Sequence, residues 1–555
     1  VPAIKRIVDH DERVVVVTNT INLQEQLLEK DLPLLNAVIP EEFSAVLVKG
    51  RGNYLSLRRL KLASERRERL FTSESSRHAL HELEDWAYRT TDGTLSSLPQ
   101  LPRMDVWDYA QSDSNNCMGR KCSYYKDCFY QSARRRMEHG DLLICNHALF
   151  FSDLALRMSG VGFLPPYDHV ILDEAHAVEE VASDHFGLSL AEARVNHLLR
   201  LLYDARRRKG FLATLSLKDG STQRIDEAIR LVLDLWVASD QQFAALLAWQ
   251  SANGLSNGRI TRPDIVEHVL TEPMKQLSQR LRLLKEQAKS EPDAYELNSY
   301  ATRAAEIARH AEILIGQQIE GCVYFLDGAD LWSVVGGGDG EDGGGETSRR
   351  RGRGRRLSLK CMAVDVSPIL REHLFGQDIG IVLTSATLAT SAGDFTHTQN
   401  RLGCEAMEAV QLGSPFQHGR QMRVVVDRQM PEPRSPHYVD MLIPRIERLV
   451  RETDGGAFVL FTSFAMLRKT AAAMRGPLAE EGHPVLVQGD DGPPGLLLKR
   501  FRDDRRTVLF GTAMDRESDA ARGDEQRDGG DGPPAGHGGS RGRGRGPRLQ
   551  LVERG

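Results

Sequence analysis

Cysteine is scarce in this chain, with seven residues among 555. So thin a supply excludes a disulfide-stapled scaffold and fits a reducing, cytoplasmic setting, where a tight group of cysteines reads as a metal site. Apolar runs of about 18 residues or more are missing, so no membrane span is expected. The opening VPAIKRIVDHDERVVVV has no initiator Met and lacks the charged–apolar–small order of a secretory leader. Excess positive charge is missing too. Lys and Arg number 72 against 77 Asp and Glu, a net charge of −5, so a polyanion would have to meet a local basic patch. No repeat of solenoid length is present. At roughly 100–200 residues per domain, the length implies about three or four domains.

What is present alternates. VVVVT (Val14–Thr18) reads as a buried parallel strand, and NTINLQEQLLEKDLPLL after it carries Leu23, Leu27 and Leu28 at helical spacing. SAVLVKG, DLLICNHALFF and HVILDEAH continue an α/β rhythm, interrupted from Arg51 to Arg136 by an irregular, polar, cysteine-bearing stretch. From about Gly187 to Gln318 the texture is that of long amphipathic helices. GGGDGEDGGGETSRRRGRGRR (336–356) reads as a flexible loop. GIVLTSATLAT, RVVVD, AFVLFTSFAMLRKTAAAM, HPVLVQG and TVLFGTA restore the rhythm up to Ala513, and the apolar-poor remainder reads as disordered.

HVILDEAH (His169–His176) carries the chemistry. An apolar strand delivers Asp173 and Glu174 to the carboxyl edge of a parallel sheet, where open α/β folds bind ligands. An Asp there can hold Mg²⁺. The adjacent Glu can orient and deprotonate the water that attacks a nucleoside triphosphate, and His176 can sense the nucleotide state. The bland reading is an acidic pair at a helix N-terminus.

Further motifs stand in a fixed order. VVVVTNTINLQEQL resembles helicase motif Ia, TSAT (Thr384–Thr387) motif III, FVLFTSF (Phe458–Phe464) motif IV and VLFGTA (Val508–Ala513) the start of motif V. With GRGNYLSLRRL, CMGRKCSYYKDC, LLICNHALFFSDL and DEAHAVEEVA, the chain resembles the DinG family of DEAH-box superfamily 2 helicases, relatives of the XPD helicases, over roughly residues 1–513. The resemblance implies an α/β fold with two RecA-like motor domains, parallel sheets flanked by helices. The first motor domain would carry a cysteine-bearing insert and a helical, arch-like insert. It further implies ATP-driven unwinding of DNA in the 5′–3′ direction from single-stranded or forked substrates, a part in DNA repair, ATP and Mg²⁺ as cofactors, and a monomer with no membrane partner. Ser385, Thr387, Gly511 and Thr512 would serve the nucleotide side. Thr18, Thr20 and Gln24 would meet the DNA backbone, although Gln24 reads equally as a solvated helix residue.

The implied boundaries are 1–50 for the start of the first motor domain, 51–140 for an iron–sulfur insert and 141–187 for the return of the motor with the DEAH box. The helical insert would span 188–335, the loop 336–356 and the final strands of the first motor 357–390. The second motor domain would occupy 391–513 and a tail 514–555.

The family pattern holds a [4Fe–4S] cluster with four thiolates. Cys117, Cys122 and Cys128, spaced C-x4-C-x5-C, match three of them. Ser56 stands where the remaining Cys is expected. Ser56, another donor such as Cys145, a Cys₃His zinc site using His139, and a metal-free remnant all stay open. Cys145, on an apolar strand, reads better as a buried small hydrophobe. Around the cysteines, Tyr124, Tyr125, Phe129 and Tyr130 interleave with Lys121, Lys126, Arg134, Arg135 and Arg136. Stacking faces and cations together suit single-strand binding without sequence preference, while part of the aromatic set would pack the insert.

Two expected elements do not appear. No G-x-x-x-x-G-K-[ST] run is found, although this motor class cradles phosphate with one. The family places that loop just upstream of a segment like VPAI, so the chain is expected to lack an N-terminal part. After FGTA the expected remainder of motif V and the arginine-bearing motif VI give way to MDRESDAARGDEQ and a glycine–arginine tail. The switch reads as a frameshift, with an RGG-like nucleic-acid tail as the alternative. On these grounds the chain as written is expected to show negligible ATPase. The rival reading is a non-catalytic single-strand-binding protein on a helicase scaffold.

Overall fold

The computed structural model describes residues 1–328 and 357–512, except 20, 72, 99–101, 256, 391–392, 415, 434, 436 and 493, together with 550–551. These fall into two compact units, Val1–Gln411 and Leu412–Gly555. The 336–356 loop and all of the tail but 550–551 lie outside the described residues.

The first unit is organised by a five-stranded parallel sheet. Its strands are β1 (Val14–Thr18), β2 (Ala45–Leu47), β3 (Leu142–Asn146), β4 (His169–Asp173) and β9 (Gly380–Thr384), and they lie in the order β2-β3-β1-β4-β9. Alternation splits the strands between two faces, as a pleat requires. Val15, Val17, Leu143, Cys145, Val170 and Leu172 enter one core with Phe150, Phe151 and Val178, while Val14, Leu142 and Ile144 enter the other with Ile7 and Leu32. Helices cover both faces, which explains why the strands read as nearly continuous apolar runs. β9 is the exception: it is an edge strand, and Val382 on it is 50% exposed.

Register places the strand ends at one level. Thr18 lies opposite Asn146, Val17 opposite Leu172 and Asp173 opposite Thr384. The motifs expected at the carboxyl edge therefore share that edge.

The stretch after Arg51, expected to be irregular, is mostly helical: Leu57–Glu65, Glu74–Ala87, Met104–Ala110 and Phe129–Glu138. Leu80, Leu83 and Trp86 lie on one face of Glu74–Ala87 and close a small core with Leu55, Leu60 and Trp107. Polar residues on the outer faces of these short helices mask the period.

The helical insert is built on Gln223–Asn253, Thr271–Gln287 and Glu291–Ile315. By length and composition Gln223–Asn253 is apolar enough to cross a membrane, but its Val232, Leu235, Phe243 and Leu246 are core residues packed with Leu277, Leu281 and Ile307. The insert also holds a four-stranded antiparallel sheet made of β5 (Leu188–Ala191), β6 (Arg259–Ile260), β7 (Cys322–Asp327) and β8 (Ser358–Ala363), in the order β5-β8-β7-β6. This corrects the placement of 357–390 as final strands of the motor. Only β9 joins the motor sheet, because β8 returns antiparallel along β7 (Asp327 opposite Ser358), a pairing a direct return allows and a parallel neighbour does not.

The second unit contains a parallel sheet of β10 (Phe458–Phe461), β11 (Val485–Val487), β12 (Val508–Thr512) and β13 (Gln550–Leu551), in the order β11-β12-β10-β13. The helices Tyr438–Glu452 and Phe464–Glu480 pack on it through Ile446, Val450, Leu467, Met474 and Leu478. RVVVD, expected to be a strand, is irregular, with Val426 74% exposed. Its β-branched run finds no ladder partner among the described residues.

Candidate nucleotide and nucleic-acid sites

The carboxyl edge of the five-stranded sheet assembles the DEAH and TSAT residues. β4 ends on Asp173, and Glu174 then turns the chain with φ 52, a left-handed conformation uncommon for a non-glycine residue. That turn releases the strand into Ala175–Ala177 and the helix Val178–Phe186. Thr384 Oγ1 donates to Asp173 Oδ1 at 2.7 Å. His176 Nδ1 lies 2.9 Å from Ser385 Oγ and 3.3 Å from Glu174 Oε2. The Thr387 amide donates to Ser385 Oγ at 3.3 Å. The catalytic candidates Asp173, Glu174 and His176 are thus brought together with Ser385 and Thr387 across the β4–β9 pair, on the partly open side of the sheet. On β3, beyond β1 from this group, Asn146 caps the helix His147–Met158 by accepting from the Leu149 amide at 2.8 Å.

Other candidates are placed differently. Gly511 and Thr512 lie in the second unit inside β12, opposite Leu460 and Phe461, and both are buried, with the Thr512 amide donating to Gln488 Oε1 at 2.8 Å. As packed, they are buried strand residues. Thr18 is fully buried at the end of the central strand β1, and Gln24 is buried on the helix that follows. Their contact with a DNA backbone remains a proposal, and as placed both side chains are turned into the protein. Thr20 lies outside the described residues.

In the cysteine segment, Cys128 is the N-cap residue of Phe129–Glu138. Burial pushes its thiol up, amides of Gln131 and Tyr130 oppose that, and Cys117 and Cys122 lie within electrostatic reach. Cys117 Sγ accepts from the Gly119 amide at 3.4 Å. Among the described residues no group of three or more His, Cys, Asp or Glu is arranged to hold a metal ion. As placed, the residues do not form a cluster site. Ser56 caps the helix Leu57–Glu65 through the Arg59 amide at 3.5 Å. Cys145 is sealed in β3 and its thiol is pushed far up by burial, in keeping with a small core hydrophobe. His139 is exposed just past the C-terminus of Phe129–Glu138.

The aromatics divide. Tyr130 is buried, edge-on to Tyr54 at 5.7 Å and beneath the Arg51 guanidinium at 4.1 Å. Phe129 packs against the insert core. Tyr124 and Tyr125 are half-buried, with Lys61 Nζ 6.0 Å from the Tyr124 ring centre. Arg134 is engaged with Glu138 at 3.1 Å, whereas Arg135 and Arg136 are exposed, Arg136 Nη1 donating to Ser132 Oγ at 3.3 Å.

Sequence reasoning missed the buried charges that fasten the two inserts together. Arg58 and Arg59 reach Glu296, and Arg66 reaches Asp293 at 2.7 Å. The only local signal was the presence of acidic residues inside an otherwise apolar helical stripe.

The Helicase C-terminal domain family matches residues 446–520. The chain is 28% identical over 518 residues to "ATP-dependent DNA helicase YoaA" of Escherichia coli (strain K12), covering 92% of this chain and 73% of that protein. It is 26% identical over 532 residues to "ATP-dependent DNA helicase DinG" of Photobacterium profundum, covering 91% and 74%. A solved structure described as "XPD_Helicase" aligns with a TM-score of 0.43 at 12% identity, covering 92% of this chain and 74% of that one. Over about nine-tenths of its length, the chain is similar to helicases of the DinG and YoaA type.

Proposed function

We propose that this chain is the motor of an ATP-dependent DNA helicase of DinG type, hydrolysing ATP at the β4–β9 edge to unwind DNA from a single-stranded or forked region. The observation that carries the reading is the joint between the DEAH turn and TSAT: Thr384 to Asp173 and His176 to Ser385. Phosphoryl transfer demands positioning and charge stabilisation more than covalent chemistry, and this joint positions two carboxylates at one edge.

Asp173 fits a Mg²⁺ ligand. Oδ1 is committed to Thr384, and Oδ2 takes no hydrogen bond among the described residues. A hard cation held by one carboxylate, water and substrate phosphates suits such a site. Bound Mg²⁺ would neutralise charge building on the phosphates. Glu174 would orient water and accept its proton, and His176 would relay the state of the edge to Ser385.

Arg135 and Arg136, with Tyr124 and Tyr125 of the same insert, are the proposed single-strand surface, and a cytoplasmic setting and a role in DNA repair belong to the same proposal. The cysteine segment is proposed as the place of an iron–sulfur cluster, which would require Cys117, Cys122 and Cys128 to close together with a fourth donor. Iron and acid-labile sulfide at about four per chain would support this; stoichiometric zinc without iron would overturn it.

A second reading rests on one observation, the absence of G-x-x-x-x-G-K-[ST] from the 555 residues: a single-strand-binding protein without turnover. The chain as written is expected to show negligible ATPase, so the readings separate on DNA-stimulated ATP hydrolysis once a G-x-x-x-x-G-K-[ST] segment is supplied ahead of Val1. Hydrolysis abolished by Glu174→Gln supports the motor. DNA binding with no hydrolysis supports the binder.

A further inference from the structure

Two stretches of the smaller insert run side by side, and the second leads into the cysteine segment. Leu55 bridges Gln111, the Ser56 amide donates to Ala110 O at 2.8 Å, and the Ser112 amide donates to Tyr54 O at 2.7 Å. Just beyond this pairing, both stretches converge on one carboxylate from the helical insert. Glu296 Oε1 accepts from Arg59 Nε at 3.0 Å, from Arg58 Nη2 at 3.3 Å and from Asn116 Nδ2 at 3.1 Å. Glu296 Oε2 accepts from Arg59 Nη2 at 3.3 Å. Arg58 Nη2 also donates to Asn116 O at 3.0 Å. The Glu296 and Arg59 side chains are 4% and 3% exposed, and Asn116 is buried as well.

Position matters here. Arg58 and Arg59 follow Ser56 almost directly, and Asn116 immediately precedes Cys117. One face of Glu291–Ile315 extends the grip: Ser299 Oγ donates to Asp113 Oδ2 at 2.7 Å, Arg303 Nη2 to the same oxygen at 2.5 Å, and Asn298 Nδ2 to Asn115 O at 3.3 Å. A fourth thiolate at position 56 would tie residue 56 to the cysteine segment through a metal. The chain has a Ser there, occupied as a helix cap, and a buried charge joint in the same neighbourhood.

We propose that Glu296 is the positioning residue of the cysteine segment, holding residues 58–59 and 116 together from the helical insert and so fixing Cys117 without a metal. The joint is a protein contact, so it persists whether or not the thiols carry iron. It also makes the cysteine segment answer to the helical insert: displacing Glu291–Ile315 from the smaller insert releases Cys117. Buried charges broken on one side leave the other uncompensated, so the joint opens as a unit.

The test is the rate at which N-ethylmaleimide labels Cys117 in the reduced full chain, read by peptide mass spectrometry, with Cys145 as an internal report on an intact core. Glu296→Ala and Asn116→Ala should each speed Cys117 labelling about tenfold or more, as local opening does, while Cys145 stays unlabelled. Asp293→Asn is the control: it lies on the same helix and pairs with Arg66 without touching Asn116, and Cys117 should keep its rate. No change in Glu296→Ala, or an equal rise in Asp293→Asn, overturns the proposal. Should Glu296→Ala expose Cys145, Glu296→Gln decides, since it keeps shape and removes charge. A rate unchanged from the parent then overturns the proposal. Iron and sulfide are measured on the same samples. Their absence would defeat the cluster reading and leave the labelling result standing.

Discussion

Thr384 donates its hydroxyl to Asp173 at 2.7 Å between residues that are register partners on neighbouring strands. The bond therefore has no slack from loop geometry: the sheet itself sets its length. Thr384→Val keeps the β-branched shape and removes the donor. A hydrogen bond to a charged group contributes about 1.5–3 kcal/mol, and the partly open site lowers that. In a chain supplied with a phosphate-binding loop ahead of Val1, DNA-stimulated ATP hydrolysis should fall by about tenfold with little change in folding stability. Equal turnover in the variant would show that Asp173 needs no such support.

The three arginines of the insert are unequal. Arg134 is held by Glu138, while Arg135 and Arg136 are open. Replacing Arg135 and Arg136 with Ala should lower the slope of log affinity against log salt by about 0.7 for each single-strand phosphate left unneutralised. Arg134→Ala should change it less. A fluorescence-anisotropy titration across salt distinguishes the three.

Asp153 is nearly sealed and accepts from the Phe163 and Leu164 amides at 2.5 and 2.8 Å and from Arg157 Nε at 2.6 Å. It closes the loop that leads into β4. Asp153→Ala orphans two amides and removes the carboxylate partner of Arg157, which keeps its bonds to Leu164 O and Pro165 O, a cost of about 3 kcal/mol. Urea unfolding of the first unit should shift accordingly.

Burial pushes His197 below the ordinary histidine value of 6.5, with Asp108 opposing from 3.5 Å. Burial likewise lowers His310, whose Nδ1 lies 3.0 Å from Ser189 O. The unfolded chain binds protons that these folded sites refuse, so their contribution is present above about pH 6.5 and is lost as pH falls through the lowered values. The melting temperature should therefore drop between pH 7.5 and 5.5, and less so in His197→Gln. A drop of full size in that variant would exonerate the residue.

The motor sheet was legible because its strands are short, β-branched and buried on both faces, and because DEAH and TSAT end such strands. The burial of Thr18 and Gln24 was not legible, because the type of a side chain does not reveal which way its strand or helix turns it. β8 misled because an apolar hexapeptide carries no sign of whether its neighbour is parallel. Glu296 was invisible: its partners Arg58 and Arg59 lie more than two hundred residues away, and the chain between them carries no pattern that announces the contact.

Glu174 occupies a backbone region that suits glycine, with φ 52. Held there, it stores strain on the order of 1 kcal/mol. A Gly at that position would ease the turn and remove the carboxylate proposed to handle water. Sturdiness and turnover therefore oppose one another at a single residue, and a screen that selects this chain for heat resistance alone should drift toward variants that fold better and no longer work.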